Sequence, residues 1–589
     1  MSTRAERRRR SAIRVRVEPP VDPAGRSLAR FVTKNALPLA AFLAAVHLIL
    51  ALLTFLPQPH TGGDSAAYVT LGRSLLERGA LLSLWDPAEP LHTQYPPAFP
   101  AMLALSMAIG LEPWTQLKFV IVLMSVAAVG LSFFWILGRK RPLIALGATT
   151  ILAFSPGVRE QSQWILSDVP FWFLTMLAIW AFDRVAKGRR ALFAVGVVAI
   201  VLAYLTRSAG LPLVLAVTGW LTLRRRWKEL AVFAAAILPF ALWWWLRARS
   251  QGGVDYVSQF WFVNPYAPEL GRIGPLDFFD RILENATKYV TIHLPILLTG
   301  TTGAIGLVVG AGALATASYG WARRMRKPSL AELFLVLYIG LILVWPAVWS
   351  GERFLLPALP LLLYYAADGA SRIADRVRNG AGVPVGVAAV IVVMLAAIPT
   401  QLDAMRFSST CMYQYRGGDR YPCMVPAWRD FFDVGEWAGE SLPVGAPILS
   451  RKPRLFYVIS DGHPGRNYPM TPDPGELIRT ANEAGARHLV FDHLDGLSQA
   501  YLAPAVLGRI TAYCIMHESP RDRTLVLGIL AGADTIANTT QEQAGNTALP
   551  SCGTDYWRPG AAPPSTADAS ASTADAPSTA HTAASARRP

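Results

Sequence analysis

Ala36 to Ser65 reads ALPLAAFLAAVHLILALLTFLPQPHTGGDS. From Ala36 to Leu56 there is no formal charge, and at about 1.5 Å per residue a helix of that length matches the roughly 30 Å hydrocarbon core of a bilayer. Before it stand Arg4, Arg7, Arg8, Arg9, Arg10, Arg14 and Arg16; after it Pro57-Gln58-Pro59 ends the helix and Asp64 follows in an outer loop. Arginines before a span and few after it orient that span outward from the cytosol. Pro57-Gln58-Pro59 is also unlike a small-residue cleavage site, so the span reads as retained.

The same pattern recurs outward from this stretch. Trp114–Gly138 returns to Arg139-Lys140-Arg141, and Pro142–Pro156 goes out. Val169–Phe182 returns to Arg184, Lys187, Arg189 and Arg190; Ala191–Leu205 exits. Leu211–Leu223 comes back to Arg224-Arg225-Arg226, and Glu229–Leu246 leaves again. Leu294–Trp321 returns to Arg323, Arg324, Arg326 and Lys327, and Ser329–Trp349 exits. Phe354–Ala370 returns to Arg372, Arg376 and Arg378, and Val383–Pro399 exits last. About eleven crossings result, starting inside and ending outside. Ala98–Ile109 is too short to span and reads as an outer interfacial or re-entrant helix.

Composition agrees. Of 589 residues 52% are apolar and 16% charged, with a mean hydropathy of +0.33; soluble domains carry about 25% charged residues, so a soluble enzyme throughout is excluded. The net charge of +15 falls in clusters between spans, which explains it without nucleic acid. There is no Gly-Lys dipeptide, hence no P-loop for nucleotide phosphates.

The expected organisation is a basic cytosolic segment 1–35, a membrane module 36–399 with long outer loops 57–113 and 248–293, an extracytoplasmic α/β domain 400–530 and a disordered Ala/Ser/Thr/Pro tail 531–589. In the first loop, Ser65–Gly79 alternates as an amphipathic surface helix, with Tyr68, Leu71, Leu75 and Leu76 on one face; Leu276–Val290 is a second such helix. In the outer domain Ala446–Ser450, His488–Phe491 and Thr524–Leu527 read as strands and Gly475–Ala484 as a helix. All four cysteines (Cys411, Cys423, Cys514, Cys552) follow the last span, none in a CxxC pair. Disulfides are therefore expected there, Cys411 with Cys423 across a short polar loop and Cys514 with Cys552.

Chemistry is expected where charge meets the outer ends of spans. Asp64 follows the first span and Asp168, in Leu166-Ser167-Asp168-Val169-Pro170, opens another. The bland reading of each is a helix N-cap; the sharper one is a general base, or a ligand for a divalent cation beside a phosphate. Arg207 lies in Leu205-Thr206-Arg207-Ser208, and Arg353 in Gly351-Glu352-Arg353-Phe354. Either could simply snorkel to headgroups, yet an outer arginine between apolar runs also suits a lipid phosphate, held by two hydrogen bonds. His47 reads as a neutral histidine bonded to a neighbouring helix, and Trp243-Trp244-Trp245 as an interfacial anchor.

In order along the chain, Asp64 with Tyr68 on an outer-loop helix, Tyr95-Pro96-Pro97, Ser167-Asp168-Val169-Pro170, Leu205-Thr206-Arg207 and Arg353-Phe354-Leu355-Leu356-Pro357 resemble the GT-C membrane glycosyltransferases. They are most similar to the protein mannosyltransferase and aminoarabinose transferase branch, over roughly residues 36–399. Where that branch often has a glutamate directly after the first aspartate, this chain has Ser65. The resemblance implies a mainly α-helical membrane fold and an enzyme that takes a sugar from a polyprenyl-phosphate donor and places it, with inversion, on a glycan, lipid or protein acceptor outside the cytosol. It further implies Asp64 as the acid–base residue and Asp168 at the acceptor or a metal site. Arg207 and Arg353 would hold the donor phosphate, and Tyr68, Tyr95 and Glu352 would shape the substrate site.

The main alternative is a transporter or lipid flippase. Those place ionisable residues near the bilayer midplane, whereas the span centres here are almost uncharged. A structural or sensor protein with an outer domain is the third reading, and it has no need of phosphate-binding arginines beside acids.

Overall fold

Apolar runs between arginine clusters become helices in the computed structural model, which describes residues 23–250, 259–265, 270–539 and 547–553. Residues 1–22 and 554–589, and with them most of the basic N-terminus and most of the tail, lie outside the described residues. The chain divides into a unit of residues up to Gln58 with Thr93–Gly418, and a unit of Pro59–His92 with Asp419 onward.

Among the described residues of the first unit five helices are long and apolar enough to cross a membrane: Ala36–Leu53, Thr115–Gly138, Trp227–Arg247, Ala304–Arg324 and Gly382–Arg416. The protein is thus a multi-pass membrane protein. Shorter apolar helices lie among them, including Pro142–Phe154, Leu192–Thr206 and Leu330–Val344. Small residues let these helices approach closely, as they do where lipid removes the hydrophobic drive between helices. A Cβ on Gly320 would meet the Tyr365 carbonyl at 2.2 Å, and one on Gly369 would meet the Thr316 carbonyl at 2.0 Å. Ala304–Arg324 and Leu359–Val377 therefore pack backbone to backbone. His47 is buried between helices, its Nδ1 donating to Ala153 O at 3.2 Å and its Nε2 3.0 Å from Ser125 Oγ.

Three boundaries differ from the sequence expectation. The run Leu294–Trp321 is two helices, Leu294–Thr299 and Ala304–Arg324, because Gly300 adopts φ +76° and closes the first. The last span does not stop at Pro399. It continues to Arg416, and the change of unit comes after Gly418, not at Thr400. Asp277–Lys288 is amphipathic with its polar face inward: Arg281 donates to Phe260 O and Phe262 O, and Asn285 donates to Leu343 O and Trp345 O. The two Asn285 bonds satisfy carbonyls at the end of the Leu330–Val344 helix that the helix itself leaves open. Leu276, Phe279 and Leu283 face outward, between 68% and 77% exposed.

The second unit is built on a five-stranded sheet of order β2-β1-β3-β5-β4, with β1 Ile448–Leu449, β2 Gly465–Arg466, β3 His488–Phe491, β4 Tyr513–Glu518 and β5 Leu525–Ile529. β1 pairs in parallel with β2 and β3; β5 is antiparallel to β3 and β4. Leu449, Leu477, Ile478, Leu489, Tyr513 and Leu527 form its core. Strands β2 and β4 were not expected from the sequence. The segment 547–553 was expected to be disordered tail, but it returns to the sheet: Ile515 N donates to Pro550 O, Cys552 N donates to Ile515 O, and Cys514 is disulfide-bonded to Cys552.

The first-loop helix belongs to this unit as well, not to a separate surface loop. It spans Gly63–Arg78, starts two residues earlier than expected, and is buried on both faces from Ser65 to Gly72. It packs on the Pro453–Ile459 helix. Gly465 N donates to Trp85 O at 2.7 Å, Arg466 pairs with Asp86 at 3.4 Å, and the Arg454 guanidinium lies 5.1 Å from the Trp85 ring centre.

Candidate active site

Polar residues gather in the membrane unit where several helices end. Ser155 caps the short helix Pro156–Gln161 by accepting from Val158 N at 3.1 Å. Its own hydroxyl donates to Leu297 O. Gly157 permits this approach, since a Cβ there would lie 2.7 Å from Leu297 Cα. The short helix thereby carries Glu160 and Gln161, and the chain turns through Ser167 into Asp168–Val185.

Asp168, 3% exposed, takes Arg207 Nη1 at 2.6 Å on its Oδ1, while its Oδ2 is buried with no hydrogen-bond partner among the described residues. Arg207 is the C-cap of Leu192–Thr206, where the helix's unsatisfied carbonyls favour a cation, and it also donates to Ser167 Oγ at 3.2 Å. The guanidinium of Arg207 lies 4.8 Å from the Phe354 ring centre and that of Arg353 5.2 Å from the same ring. Tyr338 fixes that ring's backbone by donating to Phe354 O at 2.9 Å. Two cations thus share one aromatic surface.

Glu352 closes the group. Gln161 Nε2 donates to its Oε1 at 3.1 Å, and His293 Nδ1 lies 3.5 Å from its Oε2. That histidine contact holds the Glu352 carboxyl below its ordinary range. Burial pushes the neighbouring Glu160 carboxyl up, against the pull of Arg159. Of the expected residues, Asp168, Arg207, Glu352 and Arg353 come together. Gln161 and His293 join them unannounced, since neither stands in a motif and each is brought to Glu352 by a contact distant in sequence.

Asp64 and Tyr68 stand on the Gly63–Arg78 helix of the other unit. Asp64 is not the N-cap. Gly62 is, its N–H bonded to His60 Nδ1 at 2.9 Å, and Asp64 lies within the first turn. A sequence-invisible neighbour acts here: the Lys452 ammonium is pushed down by burial and by Arg451, with the charges of Asp495, Asp492 and Asp64 opposing. Tyr68 and Tyr95 are both 5% exposed, and Tyr95 precedes the Pro97 that opens the Ala98–Ala108 helix. Cys411 and Cys423 are disulfide-bonded and no cysteine is free. Among the described residues no three His, Cys, Asp or Glu side chains converge as a cation site.

No family model matches the chain, and no curated protein does. Solved structures do. The Archaeoglobus fulgidus oligosaccharyltransferase, in a complex with zinc and sulfate, superposes with a TM-score of 0.52 at 14% identity, over 82% of this chain and 72% of that one. ArnT from Cupriavidus metallidurans bound to undecaprenyl phosphate matches with a TM-score of 0.50 at 15% identity, over 85% of this chain and 99% of that one. The apo form of the same ArnT gives 0.51 at 13% identity, over the same shares.

Proposed function

We propose that this chain, which has the fold of the GT-C membrane glycosyltransferases, moves a sugar from a polyprenyl-phosphate donor to an acceptor hydroxyl outside the cytosol. The observation that carries the reading is the buried Asp168–Arg207 pair beside Arg353 at the ends of apolar helices. A phosphate on a long apolar tail needs cationic, bidentate donors at the edge of the hydrocarbon. Arg353 and Arg207, both set against the Phe354 ring, supply them.

In the reaction Asp64 takes the proton of the acceptor hydroxyl as its oxygen attacks the anomeric carbon. The new C–O bond forms as the bond to the phosphate oxygen breaks, and the electron pair leaves with polyprenyl phosphate. One displacement inverts the anomeric centre. The arginines stabilise the charge that grows on the departing phosphate, and the free Oδ2 of Asp168 accepts a hydroxyl of a substrate. The acceptor is a glycan, a lipid or a protein. Tyr68, Tyr95 and Glu352 shape the substrate site.

The same reading places the protein in the plasma membrane with the N-terminus cytosolic and the C-terminal unit outside. A reporter active only in the cytosol, fused after Gly418, stays silent. For the chemistry, the full chain in detergent is given polyprenyl-phosphate donors carrying a labelled sugar, with hydroxyl acceptors of each class. Release of polyprenyl phosphate coupled to labelled product is expected; absence of both donor binding and transfer for every donor overturns the reading.

A further inference from the structure

At the end of the Asp168–Val185 helix remote from Asp168, roughly 25 Å along its axis, there is a second charged place. A cavity of about 590 Å³ is lined by Trp180, Arg184, Arg189, Arg190, Ala191 and Leu192. Three of six lining side chains are arginines, and among the described residues no carboxylate pairs with any of them. The nearest acids are hydrogen-bonded to other groups, Asp183 to Arg139 at 2.9 Å and Trp135 Nε1 at 3.0 Å and Glu229 to Arg226 at 2.7 Å, and reach the cavity only as charges felt by Arg184 and Arg190. Lys187 is turned away too, donating to Gly138 O at 2.5 Å. Arg184 feels the like charge of Arg189 and stacks on Trp180 at 4.1 Å. The Trp180 indole N–H is buried without a hydrogen-bond partner. Leu192–Thr206 begins at the cavity, and no side chain caps its first turn.

Like charges held together around a concavity, with helix N–H groups that no side chain caps beside them, are unfavourable until an anion arrives. A second feature says what the anion is attached to. Below the cavity Val195, Val198 and Leu202 form one stripe along the Leu192–Thr206 helix, 39%, 57% and 41% exposed. That is a surface for an acyl chain. We propose that the cavity binds the phosphate of an anionic membrane phospholipid, its headgroup held by Arg184, Arg189 and Arg190 and its tail laid along Val195, Val198 and Leu202. The site is independent of sugar transfer and is tested without it.

Native mass spectrometry of the full chain, loaded with phosphatidylglycerol or with phosphatidylcholine, reads the occupancy directly. Phosphatidylglycerol should be retained in preference. The double variant Arg184→Gln/Arg189→Gln should cut its occupancy roughly tenfold or more, since each guanidinium–phosphate contact is charge-assisted. Arg224→Gln/Arg225→Gln removes the same charge from the next loop, where both side chains are exposed, and should leave occupancy unchanged. Equal loss in both doubles means diffuse attraction and overturns the site. Retention of phosphatidylcholine as strong as of phosphatidylglycerol, or displacement of the lipid by inorganic phosphate that binds equally well alone, makes this a free-anion site and overturns the lipid assignment. Loss in Val198→Asn with the arginines intact supports the tail track.

Discussion

Asp168 and Arg207 hold each other at 2.6 Å, on side chains 4% and 16% exposed. The carboxylate opens one helix and the guanidinium ends the next, so one ion pair joins two helix ends and leaves one oxygen of Asp168, Oδ2, without a hydrogen-bond partner among the described residues. Removing one partner strands the other in a poorly solvated place, which is costlier than removing both. In a double-mutant cycle, Asp168→Asn and Arg207→Gln should each destabilise the chain, and the double variant should cost less than their sum by about 1–3 kcal/mol. Thermal unfolding of the four proteins measures this; strict additivity would show the pair to be idle.

Arg353 has a separate task. Arg353→Ala should raise the donor KM roughly tenfold or more, since a charge-assisted phosphate contact is lost, with little change in stability. Arg353→Lys should restore part of the charge but not the bidentate geometry. Donor titrations at saturating acceptor separate KM from kcat.

Asp64→Asn should lower turnover by about 10²–10⁴-fold, the ordinary worth of a general base. Because Gly62 holds the cap position, the change leaves the helix cap in place; the first-turn carboxylate's interaction with the helix dipole is worth about 1 kcal/mol or less. Donor binding should persist. Near-normal transfer at full expression would return Asp64 to a structural role.

His488 predicts a pH dependence. Burial pushes its imidazole down to about 4, against about 6.5 in an unfolded chain. Between those values the unfolded chain binds a proton that the folded one refuses. Stability is therefore complete above about pH 6.5, is lost as pH falls toward 4, and levels off below, by about 3 kcal/mol in all. Hydrogen exchange of β3 peptides as a function of pH follows it, and His488→Gln should flatten the slope.

Cys552→Ser should free the 547–553 segment from β4. A loop closed across a separation of 38 residues is worth about 2–4 kcal/mol in loop entropy. Faster exchange in Tyr513–Glu518, with no change at Asp168–Val185, is the expected signature.

Much of this was legible because lipid imposes a strict grammar. Arginine clusters and apolar runs marked the helices, and the four residues now found together (Asp168, Arg207, Glu352, Arg353) all stand at run ends. What escaped notice depends on partners distant in sequence. Gly300 interrupts an otherwise uniform apolar run, and composition averages over a single glycine. Ser65–Gly79 has amphipathic spacing, but its polar face is covered by residues of the Pro453–Ile459 region, which no local pattern announces. Tyr513–Glu518 lacks the alternation of a half-buried strand because β5 and the returning 547–553 segment flank it.

The Gly63–Arg78 helix and the Pro453–Ile459 helix that covers it also differ in age. During synthesis the ribosome needs roughly 20–75 s to travel from one to the other, at about 5–20 residues per second. Throughout that interval the segment bearing Asp64 waits without its packing partner, as an apolar-faced stretch open to chaperones and proteases. A chain that stops before Pro453 never acquires that cover, so the packing of a segment made early depends on one made much later.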